Sequence, residues 1–198
     1  VDESGRPVRN QVGELVVRAP WMGMTQGFWK DAERYEQTYW SRFPSIWVHG
    51  DWAAIDEDGL WYILGRSDET IKIAGKRLGP AEIESILTLD PRVAESAVVG
   101  VPHEVKGEAI WCFVVPLGTP SGLEDEVKRL VGERLGRPFA PARVLVVSSL
   151  PRTRNGKIVR RALRAVATGE HPGDLSTLED PAALERLALG LARAKTGA

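Results

Sequence analysis

The chain has 198 residues, of which 43% are hydrophobic and 27% charged, and its formal net charge is −1. That balance describes a globular protein and excludes a general binder of nucleic acid or membrane, whose surface carries a basic surplus. One cysteine, Cys112, excludes both a disulfide framework and a cysteine metal cluster.

The aromatic residues divide the chain. Six of the seven Trp and all three Tyr lie at or before Tyr62. Two units with different cores are therefore expected, over 1–66 and 67–175, followed by a tail helix over 176–198. The first unit reads as β-rich. "VGELVVRA" predicts a strand. "DAERYEQTYWSRF" predicts a short helix with Tyr35 and Tyr39 on one face, four residues apart. "WAAIDEDGLWYIL" predicts a hairpin turned at Asp58-Gly59, with Trp52, Trp61 and Tyr62 as packing residues rather than ligand stackers.

The second unit alternates helix and strand. "TIKIAG" predicts a strand, and "GPAEIESIL" a helix with Pro80 near its first position and Glu82 and Glu84 in its first turns. "ESAVVGVP" and "AIWCFVVP" predict strands on either side of "HEVKGE". Cys112 lies in the second of them and reads as a small packed hydrophobe, in keeping with a reducing cytoplasm. "SGLEDEVKRLVGERLG" predicts a helix with a Ser121/Glu124 capping box. Its apolar face is Leu123, Val127, Leu130, Val131 and Leu135. "RVLVV" predicts a strand, and "KIVRRALRAVA" a helix opening at Lys157. "PAALERLALGLARA" predicts the tail helix. The fold class expected is α+β, a small central sheet flanked by helices. No signal peptide or membrane span is read. The first residue is Val1 rather than Met, so a piece of a longer chain is expected.

Phosphate-loop, dinucleotide and nucleophile-elbow motifs do not occur in the chain. His49, His103 and His171 show no metal-ligand spacing. Three polar clusters remain. In "HGDWA", Asp51 follows a glycine after an apolar run, where a carboxylate either caps a turn or accepts two hydroxyls from a vicinal diol. "GRSDETIKIAGKRLG" gathers Arg66, Asp68, Lys72, Lys76 and Arg77 among Gly65, Gly75 and Gly79. It reads either as a solvated hairpin with basic edges or as a phosphate grip, with Gly75 admitting a close backbone or a narrow ligand. In "LPRTRNGKIVRR", Asn155-Gly156 makes a tight turn before Lys157, among Arg152, Arg154, Arg160 and Arg161. That lysine either idles in a basic first turn, where the helix dipole disfavours it, or swings over an anion.

In this order and spacing the three clusters resemble the carboxyl-terminal third of the acyl-adenylate-forming enzymes, and most of all the AMP-forming acetyl-CoA synthetase group. The likeness runs through "SRFPSIWVHGDWAAIDEDGLWYILGRSDETIKIAGKRLGPAEIE", "AVVGVPHEVKGEAI" and "LPRTRNGKIVRR". It implies that residues 1–66 end a large adenylate-forming domain and that 67–175 form a small mobile domain. The activity implied is an ATP-dependent, AMP-forming ligase of acetate or another short-chain acid with coenzyme A, working through acyl-AMP. The cofactors implied are ATP, coenzyme A and Mg²⁺. The resemblance assigns Asp51 to the ribose hydroxyls, Arg66 and Arg77 to the nucleotide, and Asp68 to the hinge. Ala74 and Gly75 would line the coenzyme A path, and Lys157 would meet the carboxylate and the α-phosphate. A structural cation is implied near Thr88, Asp90 and Val93.

Two departures from the family pattern are evident. His49 stands where relatives often have Thr, with little effect expected. Gly132 stands where some acetyl-CoA synthetases have an arginine for coenzyme A, leaving Arg129 or Arg134 to substitute. The upstream large domain of the same protein and lysine acetylating and deacetylating enzymes are the partners implied, with a cytoplasmic location and no nucleic acid or membrane. The piece alone is not expected to be active. Two other readings stay open at this point: an enzyme loading an acid onto a carrier protein, and a non-catalytic nucleotide-binding module.

Overall fold

The structure, a computed structural model, describes residues 1–73, 75–119 and 121–196, with the side chains of the last helix described through Leu191. The chain forms two units, Val1–Asp68 and a second beginning at Glu69.

In the first unit three strands form an antiparallel sheet: β1 (Gly13–Val17), β2 (Trp47–Ile55) and β3 (Trp61–Arg66), in the order β1-β2-β3. Gly59 has φ +83° between β2 and β3, a backbone region that favours glycine. Asp56 organises this connection: its carboxylate accepts the Leu60 amide and the Tyr62 hydroxyl, each at 2.9 Å. Helix α1 (Ala32–Tyr39) starts at Asp31, whose side chain accepts the Arg34 amide at 3.2 Å. The two tyrosines lie one turn apart as the spacing predicts, with ring centroids 5.5 Å apart, and Tyr39 stacks on Trp47 at 4.7 Å.

The aromatic hairpin departs from expectation. Trp61 is 59% exposed, and Leu60, Tyr62, Ile63 and Leu64 are exposed as well, while Trp52 is half-buried. The reason is position: β3 is the outer strand of the sheet, and α1 packs on β2. The unit instead buries Glu14, on β1. Its carboxylate is bonded to the Arg42 guanidinium and accepts the Ser67 hydroxyl at 2.8 Å. A carboxylate removed from water requires such partners.

The second unit is built on a hairpin of two long strands, β6 (Val93–His103) and β7 (Gly107–Pro116). Ahead of them in the chain come β4 (Ile71–Ile73) and β5 (Lys76–Leu78), and the sheet order is β5-β4-β7-β6. Strand β8 (Arg143–Val146) adds to β7 in parallel. Both faces of the hairpin are buried, so its strands read as continuous apolar runs rather than alternating ones. Val98, Ile110, Cys112, Val114 and Val144 face one way. They meet Ile83 and Leu87 of α2 (Pro80–Leu87) and Val127 and Val131 of α3 (Leu123–Leu135). Ala97, Val99, Phe113 and Leu145 face the other way. They meet Leu163 of α4 (Arg160–Thr168) and Leu184 and Leu187 of α5 (Ala182–Thr196). The result is a mixed α/β unit with helices on both faces of its sheet, and five helices are described in the whole chain. No described helix is long and apolar enough to cross a membrane.

Three boundaries differ from the sequence reading. Helix α3 starts at Gly122, which has φ +68° and no capping side chain, so Ser121 and Glu124 form no capping box. A glycine that reaches the left-handed region turns the chain into the helix without side-chain help. Helix α4 begins at Arg160, because Lys157 and Ile158 are bonded back to Thr153 and Arg152. The tail helix opens at Ala182, after a loop in which Leu178 is buried against α4's face of the sheet.

Ile83 has no exposed surface and sits between α2 and the sheet. Ile83→Ala should lower the unfolding free energy of the second unit by about 2–5 kcal/mol, read as a lower urea midpoint with the slope unchanged.

Candidate functional site

The candidate residues fall into two groups, each held within its own unit. In the first unit, Asp51 on β2 lies opposite Arg66 at the end of β3. Between His49 and Asp51, Gly50 has φ +85°, and a Cβ there would come within 2.8 Å of the Arg66 guanidinium. Glycine therefore lets Arg66 lie across the β2 backbone. Arg66 donates to the His49 carbonyl at 3.3 Å and reaches an Asp51 oxygen at 3.5 Å. Its Nε and Nη2 donate to the two oxygens of Asp68 at 3.1 and 3.2 Å. The other oxygen of Asp51 meets His49 Nδ1 at 2.6 Å.

The His49 contact was absent from the sequence reading, which expected little effect from this residue. A signal for it existed: residues two apart on a strand share a face, so His49 and Asp51 are neighbours on β2. The resulting carboxylate is oriented from both sides and partly open to solvent, an arrangement able to accept hydroxyl groups.

In the second unit, β4 and β5 place Lys72 directly opposite Arg77, both exposed, while Ile71, Ile73 and Leu78 are buried beneath them. Like charges across a strand pair repel, and this pair stands on the face opposite the buried apolar residues. Gly75 has φ +80°, and a Cβ built there would meet nothing within 4 Å. Its requirement comes from the turn, and the space around it is open. Ala74 lies outside the described residues.

Lys157 sits on a tight turn, not in a helix. Gly156, with φ +77°, donates its amide to the Thr153 carbonyl at 2.8 Å, and the Thr153 amide donates to the Lys157 carbonyl at 2.8 Å. The dipole misfit expected of a first-turn lysine therefore does not arise. The basic crowd is also thinner than the sequence implied. Arg152 pairs with Glu95 at 2.9 Å and donates to the Gly156 carbonyl at 2.6 Å. Arg160 pairs with Glu84 at 2.7 Å and Glu69 at 3.2 Å, and Arg161 donates to the Asp174 carbonyl. Burial works against the charge of Arg160, but its bonds to Glu84 and then Glu69 outweigh it and hold the pKa above the ordinary arginine value. Lys157 and Arg154 are both exposed, and neither side chain meets a carboxylate among the described residues.

The loop of the implied cation is closed by protein groups. The Thr88 hydroxyl donates to the Ser85 carbonyl, and the Val93 amide donates to the Asp90 carbonyl. The carboxylate of Asp90, 7% exposed, receives Arg92 through its backbone amide at 2.9 Å, Nε at 2.9 Å and Nη2 at 2.6 Å. A guanidinium already supplies the positive charge, so these residues do not fit a bound cation. No group of three His, Cys, Asp or Glu side chains able to hold a metal occurs among the described residues. Of the two arginines near Gly132, Arg129 is bonded to Glu126 and Glu133, whereas Arg134 is exposed and joins no ion pair among the described residues.

Residues 82–157, from α2 through the Lys157 turn, match the family model of the AMP-binding enzyme C-terminal domain. The matched stretch lies within the second unit. The chain is similar to curated proteins named acetyl-coenzyme A synthetase. One from Pyrobaculum aerophilum is 50% identical over 93% of this chain and 28% of its own length. Among solved structures, the acetoacetyl-CoA synthetase from Streptomyces lividans is 30% identical with a TM-score of 0.75, covering 100% of this chain and 30% of that one. ATP-bound MatB from Rhodopseudomonas palustris is 31% identical with a TM-score of 0.67, covering 80% of this chain and 31% of that one. The chain spans less than a third of the length of the curated relatives it matches.

The ion pair of the α2–β6 loop carries a test of its own. The side chain of Arg92 above all, and then its backbone amide, hold the Asp90 carboxyl below its ordinary value of 3.8. A depressed carboxylate pKa contributes stability above the unfolded value and loses it as pH falls through the folded one. Arg92→Ala should therefore destabilise the second unit above about pH 4, and the gap to the wild type in urea denaturation should shrink as the pH is lowered below that point.

Proposed function

We propose that the chain is the carboxyl-terminal part of an ATP-dependent, AMP-forming acyl-CoA synthetase acting on acetate or another short-chain acid in the cytoplasm. The observation that carries the reading is the state of Lys157. It is an exposed ammonium on a glycine turn, with no carboxylate partner among the described residues, while three of the four neighbouring arginines are bonded to protein groups.

In the adenylation step an acid attacks the α-phosphate of ATP and releases pyrophosphate. Both reactants are anions, and their repulsion is part of the barrier. An ammonium placed between them offsets it, with an attraction of roughly 4 kcal/mol at 4 Å and a surface-like dielectric. Asp51, held by His49 and Arg66, would accept the ribose hydroxyls. Arg66 would touch the nucleotide and Arg77 its phosphate. In the second step the coenzyme A thiol displaces AMP, passing Ala74 and Gly75, where small residues admit a slim arm. Asp68 would be the pivot between the two arrangements, and any Mg²⁺ would arrive with the triphosphate as part of the substrate. Acetylating Lys157 would remove the cation and stop adenylation. The acetyl-coenzyme A synthetase names among the relatives favour acetate, and the structurally similar acetoacetyl-CoA synthetase, at 30% identity, carries the name of a different short-chain acid. The chain alone, at less than a third of its relatives' length, is not expected to turn over.

In the intact protein Lys157→Ala should slow acyl-AMP formation by about a hundredfold, equivalent to about 3 kcal/mol, while thioester formation from supplied acyl-AMP is retained. The two half-reactions measured separately decide it, and equal losses in both remove the role. Offering free coenzyme A and a carrier protein in the same assay separates a CoA ligase from a carrier-loading enzyme.

A further inference from the structure

The residues on either side of Asp68 are pinned, each within its own unit. Ser67 is fixed in the first: its amide donates to the Gly50 carbonyl at 3.0 Å and its hydroxyl to the buried Glu14 at 2.8 Å. Among the described residues the Asp68 side chain is bonded to Arg66, through a pair in which both side chains are exposed. Such a pair is weak and easily exchanged for water. Glu69, the first residue of the second unit, is bonded through Oε2 to Arg160 Nη1 at 3.2 Å.

Arg160 is well placed to make that bond firm. Its Nε and Nη2 fork onto Glu84 of α2 at 3.1, 3.0 and 2.7 Å, and Glu84 also accepts the Val98 amide of β6 at 2.9 Å. The Arg160 side chain is only 22% exposed. A guanidinium fork matched to a carboxylate is far more directional than a lysine contact. Arg160 is also the first residue of α4, and so the first helical residue after the Lys157 turn.

We propose that Arg160 is a positioning residue which ends the linker between the units. By pinning Glu69 it confines backbone rotation to Asp68, and by belonging to α4 it fixes the Lys157 turn relative to the point where the chain leaves the pivot. Without it, Glu69 loses its bond to α4, rotation is no longer confined to Asp68, and fewer of the accessible arrangements present Lys157 correctly. This inference rests on the reading of Asp68 as a pivot and of Lys157 as an adenylation residue.

The test uses the intact protein carrying Glu69→Gln or Arg160→Lys. Hydrogen exchange by mass spectrometry should show a peptide covering residues 67–71 exchanging about tenfold faster in both variants, with β6–β7 peptides unchanged. Adenylation kcat should fall about tenfold with the KM for ATP unchanged, because neither substitution replaces Asp51, Arg66 or Arg77. Unaltered exchange at 67–71 overturns the proposal. Faster exchange spread evenly over the second unit also overturns it, since that outcome makes Arg160 a general stabiliser. The exchange measurement needs no catalysis: a loosened linker in a protein that forms no acyl-AMP would keep the clamp and sink the ligase reading.

Discussion

The constraint on which the second unit depends is the pairing of β6 with β7. Ten residue pairs run along this hairpin, and both of its faces are covered by helices. A slip of one residue would exchange the two apolar sets and bury neither correctly, so the register is strongly fixed. The candidate residues of the second unit are carried by elements that pack on it. Strand β4, which carries Lys72, joins β7 at Gly107, where φ is +79° and a Cβ would press against the Lys72 carbonyl at 3.3 Å. Strand β8 adds in parallel, and α4 reaches back across the sheet from the lysine turn. Cys112 lies in the middle of this ladder with no exposed surface, and burial pushes its thiol pKa up, so it is a packing residue and no nucleophile.

Charge is distributed with the same economy. Three of the four arginines around Lys157 are tied to acidic groups or carbonyls, which spares the turn the repulsion expected from the run of basic residues. The carboxylates that neutralise Arg152 and Arg160, namely Glu95, Glu84 and Glu69, come from β6, from α2 and from the first residue of the second unit, so the basic stretch is also the fastening of α4 to the rest of the unit. What is left exposed is Arg154 and, beside it, a lysine on a turn whose backbone is set by Thr153 and Gly156. Rigid support beneath a flexible ammonium is the arrangement that electrostatic assistance requires.

Much of this was legible from residue order. Apolar runs and helical periodicity located the strands and helices of the second unit, because burial on both faces leaves an unambiguous composition. The tyrosine spacing placed α1. Helix starts were harder. The Ser121/Glu124 pattern is a local signal that a left-handed Gly122 overrides, and the opening of α4 depends on bonds from Lys157 and Ile158 back to Thr153 and Arg152. The partners of Arg160 lie 76 and 91 residues away in sequence, a separation no local pattern reports. Asp90 illustrates the converse. Family likeness pointed to a cation on its loop, whereas the arginine two positions on, visible in the sequence all along, supplies the charge directly.

The bare third strand of the first unit has a practical meaning for anyone handling this polypeptide by itself. Its Leu60–Leu64 stretch shows water a nearly continuous hydrocarbon and aromatic ribbon along the open margin of a sheet. Margins of that kind recruit further strands from whatever chain is at hand, and no lysine or proline within the ribbon blunts this one. Concentrated stocks of the separate piece will thus self-associate through that margin, and a single charged replacement there is the direct remedy.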